Sequence, residues 1–532
     1  MKHARKLASL LLALVMVFAL ATTAFAANTT AHTITITNKM SGHTYTAYQV
    51  FAGDIQAKPG TATGEKVLTN IVWGSGVDGD AVLTALKALD SSPYASCTTA
   101  ADVADVLVGF DDDSAQLDAF AKVVGEHLST AADTSTETKG TTSSTYTISV
   151  TGDGYYFVKD TGTIASNDAA TKYILKVVEN VTVKAKAEVP DIDKVIVNAD
   201  SANGGEGKGT AQDVGSVVNF KVTSKVPAMD GYTTYTYIVN DTMSAGLTAV
   251  DNDNDGKIDV TITIDGETYT GFTVAQNGQS FTITFNNFIN QKANAGKNIV
   301  ITYSAIINEN ALKTNVETNK VDLEYSNNPN DDTSNGKTPE KVVYVYDFDI
   351  VIDKYTGDET TGDRLEGAKF VLLNSDKTKY YYYNETTKKV EWNALAEGET
   401  LEDVLATGYK GSTKITEVTT DANGAARFKG LDTGTYYLHE TKAPAGYNLL
   451  KDDATVTITA TYGNDGQITS SSATSSNNGQ YQQVSKIENK AGTLLPSTGG
   501  MGTTIFYVLG SVLVVAAVVL LVTKKRMSSA ER

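Results

Sequence analysis

Within this 532-residue chain, the clearest spacing for chemistry is Leu495-Pro496-Ser497-Thr498-Gly499, followed by an uncharged apolar run from about Thr503 to Val522 and then Lys524-Lys525-Arg526. Pro496 excludes helix at the residue before it and fixes an extended peptide, while Gly499 leaves the bond before it uncrowded. The apolar run is long enough to cross a bilayer, and the basic cluster directs the short tail to the cytoplasm, so the chain before it lies outside. Other chemistry finds little support. Five His and the single Cys97 include no Cys/His neighbours and no metal-spaced cluster, so a hydrolase and a bound metal or cofactor are not expected. The run Asp251-Asn252-Asp253-Asn254-Asp255-Gly256 copies the start of an EF-hand loop, but Ile262 stands where a bidentate Glu is needed and no helices flank it; it reads as a hairpin turn.

The elements that must carry these residues are strands. Thr, Val, Ile and Tyr are abundant, and alternating stretches such as Thr33-Ile34-Thr35-Ile36-Thr37 and Ile258 to Ile264 read as half-buried strands, so the class is mainly β. Lys2, Arg5 and Lys6, the apolar run Leu7 to Leu20 and Ala24-Phe25-Ala26 form an export signal over residues 1–26. What remains between the two ends is too long for one core and divides into three domains, at 28–186, 187–342 and 343–492, before the motif, span and tail at 495–532. The first domain alone carries added helices: Asp113 and Gln116 read as a cap, and Leu117, Phe120, Ala121, Val124 and Leu128 recur on one face. Thr134 to Ser144 reads as a loop, with strands resuming at 146–150, 154–158 and 173–183. One cysteine excludes internal disulfides in an exported protein, which calls for another staple. The net charge of −18 argues against nucleic acid as a partner.

The pentapeptide, span and tail resemble the LPxTG sorting signal of Gram-positive surface proteins, which a membrane sortase cuts between Thr and Gly. Tyr436-Tyr437-Leu438-His439-Glu440-Thr441-Lys442-Ala443-Pro444-Ala445-Gly446-Tyr447 resembles the E-box of Gram-positive pilins and their collagen-adhesin B-type domains. The resemblance implies tandem immunoglobulin-like β-sandwiches of collagen-adhesin A-type and B-type, ending in a transmembrane helix. It also implies that Lys354 in the first strand of the third domain bonds to Asn489 in its last strand, beside Glu440. In the second domain the same bond is implied between Lys194 and Asn319, with Asp241 as the acid and with Asn315 and Asn327 as alternatives to Asn319. The physics of such a trio is legible: apolar surroundings lower the pKa of a lysine and raise that of a carboxylic acid, so a neutral amine can attack a carboxamide whose carbonyl a protonated acid polarises.

A backbone pilin also needs a lysine that attacks the sortase acyl-enzyme. The junction Val181 to Pro190 lacks the YPKN-like motif of many relatives, and Lys186, with Lys184 as the alternative, is the expected residue. The resemblance therefore implies the structural shaft subunit of a covalent pilus and not an enzyme. Its partners would be a class C-type sortase, a housekeeping sortase, further pilin subunits and peptidoglycan; a host surface ligand is left open. The alternative is a monomeric wall-anchored adhesin, which would share every one of these signals except the polymer.

Overall fold

Period-two patterning translates directly into buried faces. Strand Ala31–Asn38 buries His32, Ile34, Ile36 and Asn38 and leaves the intervening threonines half exposed, which is what a sheet covered on one face requires. The computed structural model describes residues 30–528, apart from 59–64, 112–113, 178, 186–188, 200–204, 315, 409, 477–478 and 493–501. The export signal, the sorting pentapeptide Leu495 to Gly499 and Lys186 lie outside the described residues.

In the N-terminal domain, four strands in the order Thr136–Lys139, Ser144–Thr151, Ala31–Asn38 and Val181–Lys184 face a second sheet built on Tyr45–Ala57 and Gly154–Asp160. Ile34, Ile36, Tyr146, Ile148 and Val158 fill the space between them. Helices Gly79–Lys87, Ala100–Val108 and Ala115–Glu126 pack Val82, Leu86, Val103, Leu107, Phe120 and Val124 against Phe51 and Phe157 of the second sheet. The third helix is capped by Ser114, whose hydroxyl accepts from the Leu117 N–H; Asp113 lies outside the described residues.

Three local expectations are corrected. The segment Thr134 to Ser144 is not a loop throughout: β-branched Thr136 and Thr138 place Thr136–Lys139 in an antiparallel ladder with Ser144–Thr151. The stretch 173–183 is two strands in different sheets, Lys172–Val177 and Val181–Lys184. The chain changes sheets at Asn180, whose side chain accepts from the Thr33 N–H at 2.9 Å and starts a parallel pairing with the first strand. The acidic run is not a hairpin turn either. Strands Leu247–Ala249 and Thr261–Ile264 on its two sides both pair with Asn298–Ile307, so residues 250–260 are an excursion from one sheet edge. Its carboxylates cap backbone N–H groups, Asp251 receiving Asp255 and Gly256, and one oxygen each of Asp251, Asp253 and Asp259 lie within 4.8 Å of one another.

The middle domain is a sandwich. One sheet contains Ile192–Ala199, Val217–Lys225 and Asn298–Ile307; the other contains Lys341–Tyr346, Val316–Ser326, Tyr237–Met243 and Ser280–Phe285. Strand Lys341–Tyr346 runs on through Asp347 into Phe348–Thr356, which opens the C-terminal domain. There Phe348–Thr356 pairs in parallel with the last strand, Tyr481–Glu488, and faces a sheet containing Lys369–Leu373 and Gly434–Lys442. A final helix, Gly502–Ser528, includes a stretch, Ile505–Met527, long and apolar enough to cross a membrane.

Candidate functional site

Lys194 and Lys354 are the two buried lysines among the described residues. Each occupies an inward position where the alternation calls for an apolar side chain. Lys194 follows Ile192 and precedes Ile196 on its strand, and Lys354 follows Ile350 and Ile352 on its own. A lone buried ammonium is costly, so each demands a partner from the facing sheet.

In the middle domain those partners are Asp241 and Asn319, inward on neighbouring strands of the opposite sheet, where Met243 is paired with Asn319. Lys194 Nζ donates to Asp241 Oδ2 at 2.7 Å and to Asn319 Oδ1, and it sits over the rings of Phe220 and Tyr303 at 5.5 and 5.4 Å. Burial pulls the Lys194 pKa down to about 8 against the pull of Asp241, and burial pushes Asp241 up against the pull of Lys194. Both shifts favour the neutral pair, an amine beside a carboxylic acid.

Of the two alternatives to Asn319, Asn327 is buried elsewhere, where its side chain accepts from the Ser334 hydroxyl at 2.7 Å; Asn315 lies outside the described residues. Tyr303, which sequence reasoning missed, completes the site from the strand Asn298–Ile307. Its hydroxyl donates to Asp241 Oδ2 at 2.5 Å and accepts from Asn319 Nδ2 at 3.1 Å.

In the C-terminal domain Glu440 is the hub. Lys354 Nζ lies 3.4 Å from its Oε1, and Asn489 Nδ2 donates to its Oε2 at 3.2 Å and to the Asn448 carbonyl at 2.8 Å. The Leu450 N–H also donates to Oε2, at 2.8 Å. The E-box loop therefore closes over the carboxylate that its own strand presents. Asn489 is placed by the parallel ladder, its N–H bonded to the Tyr355 carbonyl at 2.9 Å. Burial takes Lys354 down to about 8, against Glu440. Lys354 Nζ, Glu440 Oε1 and Asn489 Oδ1 are buried with no hydrogen-bond partner among the described residues, a concentration of unsatisfied groups rare in a settled core. In both domains an amine, a carboxamide and an acid share one dry pocket, an arrangement able to exchange ammonia for an amide between Lys and Asn.

The N-terminal domain buries a different set, also missed from sequence. His43 Nδ1 lies 2.5 Å from Asp160 and Nε2 lies 3.0 Å from Asp168, with the imidazole stacked on Tyr45. Burial alone would lower its pKa, but hydrogen bonds to the two carboxylates outweigh that and raise it to about 9. Asp168 sits in a segment docked on the middle domain: the Ala170 N–H donates to the Asn327 carbonyl and the Lys337 N–H to the Ser166 carbonyl, both at 2.6 Å. Lys184 is exposed at the end of its edge strand in the same junction.

Residues 214–329 match the family model described as Gram-positive pilin backbone subunit 2, Cna-B-like domain, and residues 349–474 match the SpaA prealbumin-like fold domain. The middle domain is a Gram-positive pilin backbone domain. Residues 487–529 match the LPXTG cell wall anchor motif, which takes in the pentapeptide, the apolar helix and most of the basic tail. The chain is 29% identical over 329 residues to a fimbrial subunit type 2 of Actinomyces naeslundii, covering 57% of this chain and 56% of that protein. It is 28% identical over 344 residues to the trypsin-resistant surface T6 protein of Streptococcus pyogenes serotype M6, covering 62% and 55%. The alignments thus span little more than half the length of these relatives. The solved T6 backbone pilin of the same serotype is 19% identical, with 80% of each chain covered and a TM-score of 0.49.

Proposed function

We propose that the protein is the shaft subunit of a covalent cell-surface pilus, a structural polymer whose only chemistry is performed on its own chain. A sortase cleaves after Thr498 and transfers its carbonyl to a lysine of the next copy, Lys186 or, failing that, Lys184; the last acyl-enzyme is resolved on peptidoglycan. A pilus-type sortase performs the first transfer and a housekeeping sortase the second. The helix Ile505–Met527 holds the precursor at the membrane until then. The observation that carries this reading is the backbone-pilin domain at 214–329 on the same chain as the anchor motif at 487–529.

Within each subunit the buried trios form amide cross-links, Lys194 to Asn319 and Lys354 to Asn489. They supply the staple that a chain with one cysteine lacks. Two results support this part of the reading: both acids are buried against their lysines, and both lysines are shifted toward the neutral amine.

Co-expression with a pilus-type sortase should give a ladder of SDS-resistant species whose wall-bound subunits end at Thr498. Lys186→Ala should collapse the ladder to monomer while leaving wall attachment intact. A ladder that survives replacement of both Lys184 and Lys186 removes these lysines from the reaction. Wild-type protein that forms no ladder beside such a sortase is a monomeric adhesin.

A further inference from the structure

We propose that Tyr303 is a catalytic residue of the middle-domain cross-link, relaying a proton from Asp241 to the departing nitrogen of Asn319. This rests on the cross-linking reading above and adds a third participant to its chemistry.

A buried tyrosine ordinarily gives its hydroxyl to whatever acceptor lies nearest, and the Tyr303 ring has reason enough to be in the core. It packs edge-on against Phe281 at 5.1 Å and tilted against Phe220 at 5.5 Å, its partner across the ladder. What sets this hydroxyl apart is that it is bonded on both sides to the two groups that must exchange a proton. It donates to the acid at Asp241 Oδ2 and accepts from the nitrogen that leaves, Asn319 Nδ2. Burial and the Asp241 charge hold the phenol well above its ordinary pKa, so it carries its proton throughout.

The C-terminal domain supplies the contrast. There the acid is a glutamate, one methylene longer, and it meets the leaving nitrogen directly: Asn489 Nδ2 lies 3.2 Å from Glu440 Oε2. In the middle domain the shorter Asp241 is reached from Asn319 Nδ2 through Tyr303. The phenol makes up the methylene that the aspartate lacks.

The proton count closes. Lys194 ammonium gives a proton to Asp241, and the neutral amine attacks Asn319 Cγ, forming the N–C bond. Asp241 passes its proton to the Tyr303 oxygen as the Tyr303 proton moves to Nδ2, the C–Nδ2 bond breaks, and ammonia leaves. The remaining surplus proton on the new amide nitrogen returns to Asp241, which ends as a neutral acid beside an unchanged phenol. No oxidant or co-reactant is consumed.

The test uses the full chain made by cell-free translation, with ammonia loss from each domain followed over time by mass spectrometry of domain peptides. The C-terminal domain of the same molecule serves as an internal clock. Tyr303→Phe keeps the ring and should slow ammonia loss from the middle domain by about 100-fold, the lower range for a positioned proton donor, while the C-terminal domain keeps its rate. Site-specific Tyr303→3,5-difluorotyrosine, nearly the same shape with a more acidic hydroxyl, should change the middle-domain rate at fixed pH and leave the C-terminal rate alone. An unchanged rate in the fluorinated chain, or a Phe variant that keeps the wild-type rate, overturns the relay. Should the Phe variant fail to fold, the fluorinated chain decides alone. If the wild-type middle domain itself loses no ammonia, the cross-linking reading fails first and takes the relay with it.

Discussion

The N-terminal and middle domains both bury charge between two sheets, yet with opposite consequences. In the middle domain the buried cation is a lysine, its neighbour a carboxamide, and burial drives both amine and acid toward neutrality. In the N-terminal domain the cation is an imidazolium between two carboxylates, and the partners keep it charged. Under the proposed cross-linking one set is consumed and leaves a covalent tie; the other can only hold as long as its charges persist. Resistance to pulling and proteolysis should therefore differ along a single subunit, with the N-terminal domain the reversible part.

The sharpest way to break this contrast is to turn the middle domain into an uncross-linked one. Lys194→Ala leaves Asp241 buried without its lysine and removes the proposed cross-link between positions 125 apart in sequence. Closing a loop of about 100 residues contributes roughly 5 kcal/mol in the chain-entropy model, so the middle domain should lose that much stability and become protease-sensitive before the C-terminal domain does. Intact mass should show one ammonia retained. Glu440→Ala does the same for the C-terminal domain alone, and an unchanged ammonia loss there would remove Glu440 from the chemistry.

Next in size is His43→Ala, which abandons two carboxylates, Asp160 and Asp168, in the core and should cost about 3 kcal/mol or more. Unfolding of the N-terminal domain by denaturant measures it; an effect under about 1 kcal/mol would mean that the pair is solvated.

The same histidine predicts a pH dependence. Its folded pKa of about 9 lies above the ordinary value of about 6.5, so the folded state binds the proton more tightly. The stabilisation is therefore complete below about pH 6.5 and is lost as pH rises through about 9. The groups facing His43 are Asp160, Asp168, Tyr45 and Tyr146, with Glu137 behind Tyr146. Melting of the N-terminal domain between pH 7 and 10 should show a decline that is absent in His43→Gln.

The smallest effect belongs to the seam between these two domains. Lys122 pairs with Asp332 across it at 3.1 Å, but both side chains are 41% exposed, so Lys122→Ala should change stability by less than about 1 kcal/mol and only at low salt. The seam between the middle and C-terminal domains is built otherwise. Half-buried Asp213 accepts from Trp392 Nε1 and from the Asp432 N–H, both at 2.8 Å, and Asp213→Ala should loosen that joint with little dependence on salt.

Much of this was determined by sequence alone. Strand alternation follows from side-chain period, which is local; the resemblance singled out Lys194, Asp241, Lys354 and Glu440, and the strands of the structure turn each of them inward, where a charged residue must be explained. The E-box, the anchor and the export signal are likewise contiguous, and contiguous chemistry is legible without a fold. What tertiary structure decided is which inward residues meet. Asn319 and Asn327 both lie in or beside one strand, and only sheet stacking puts the first against Lys194 and sends the second to Ser334. Tyr303 looks like one more core aromatic until register sets its hydroxyl between Asp241 and Asn319. His43 and Asp160 are 117 positions apart, with nothing near either to announce the other. The split at Asn180 depends on an acceptor that Thr33 requires from another part of the chain. Local pattern chooses which face a side chain takes; long-range register and the packing of one sheet on another choose its neighbour, and cross-linking chemistry depends on the neighbour.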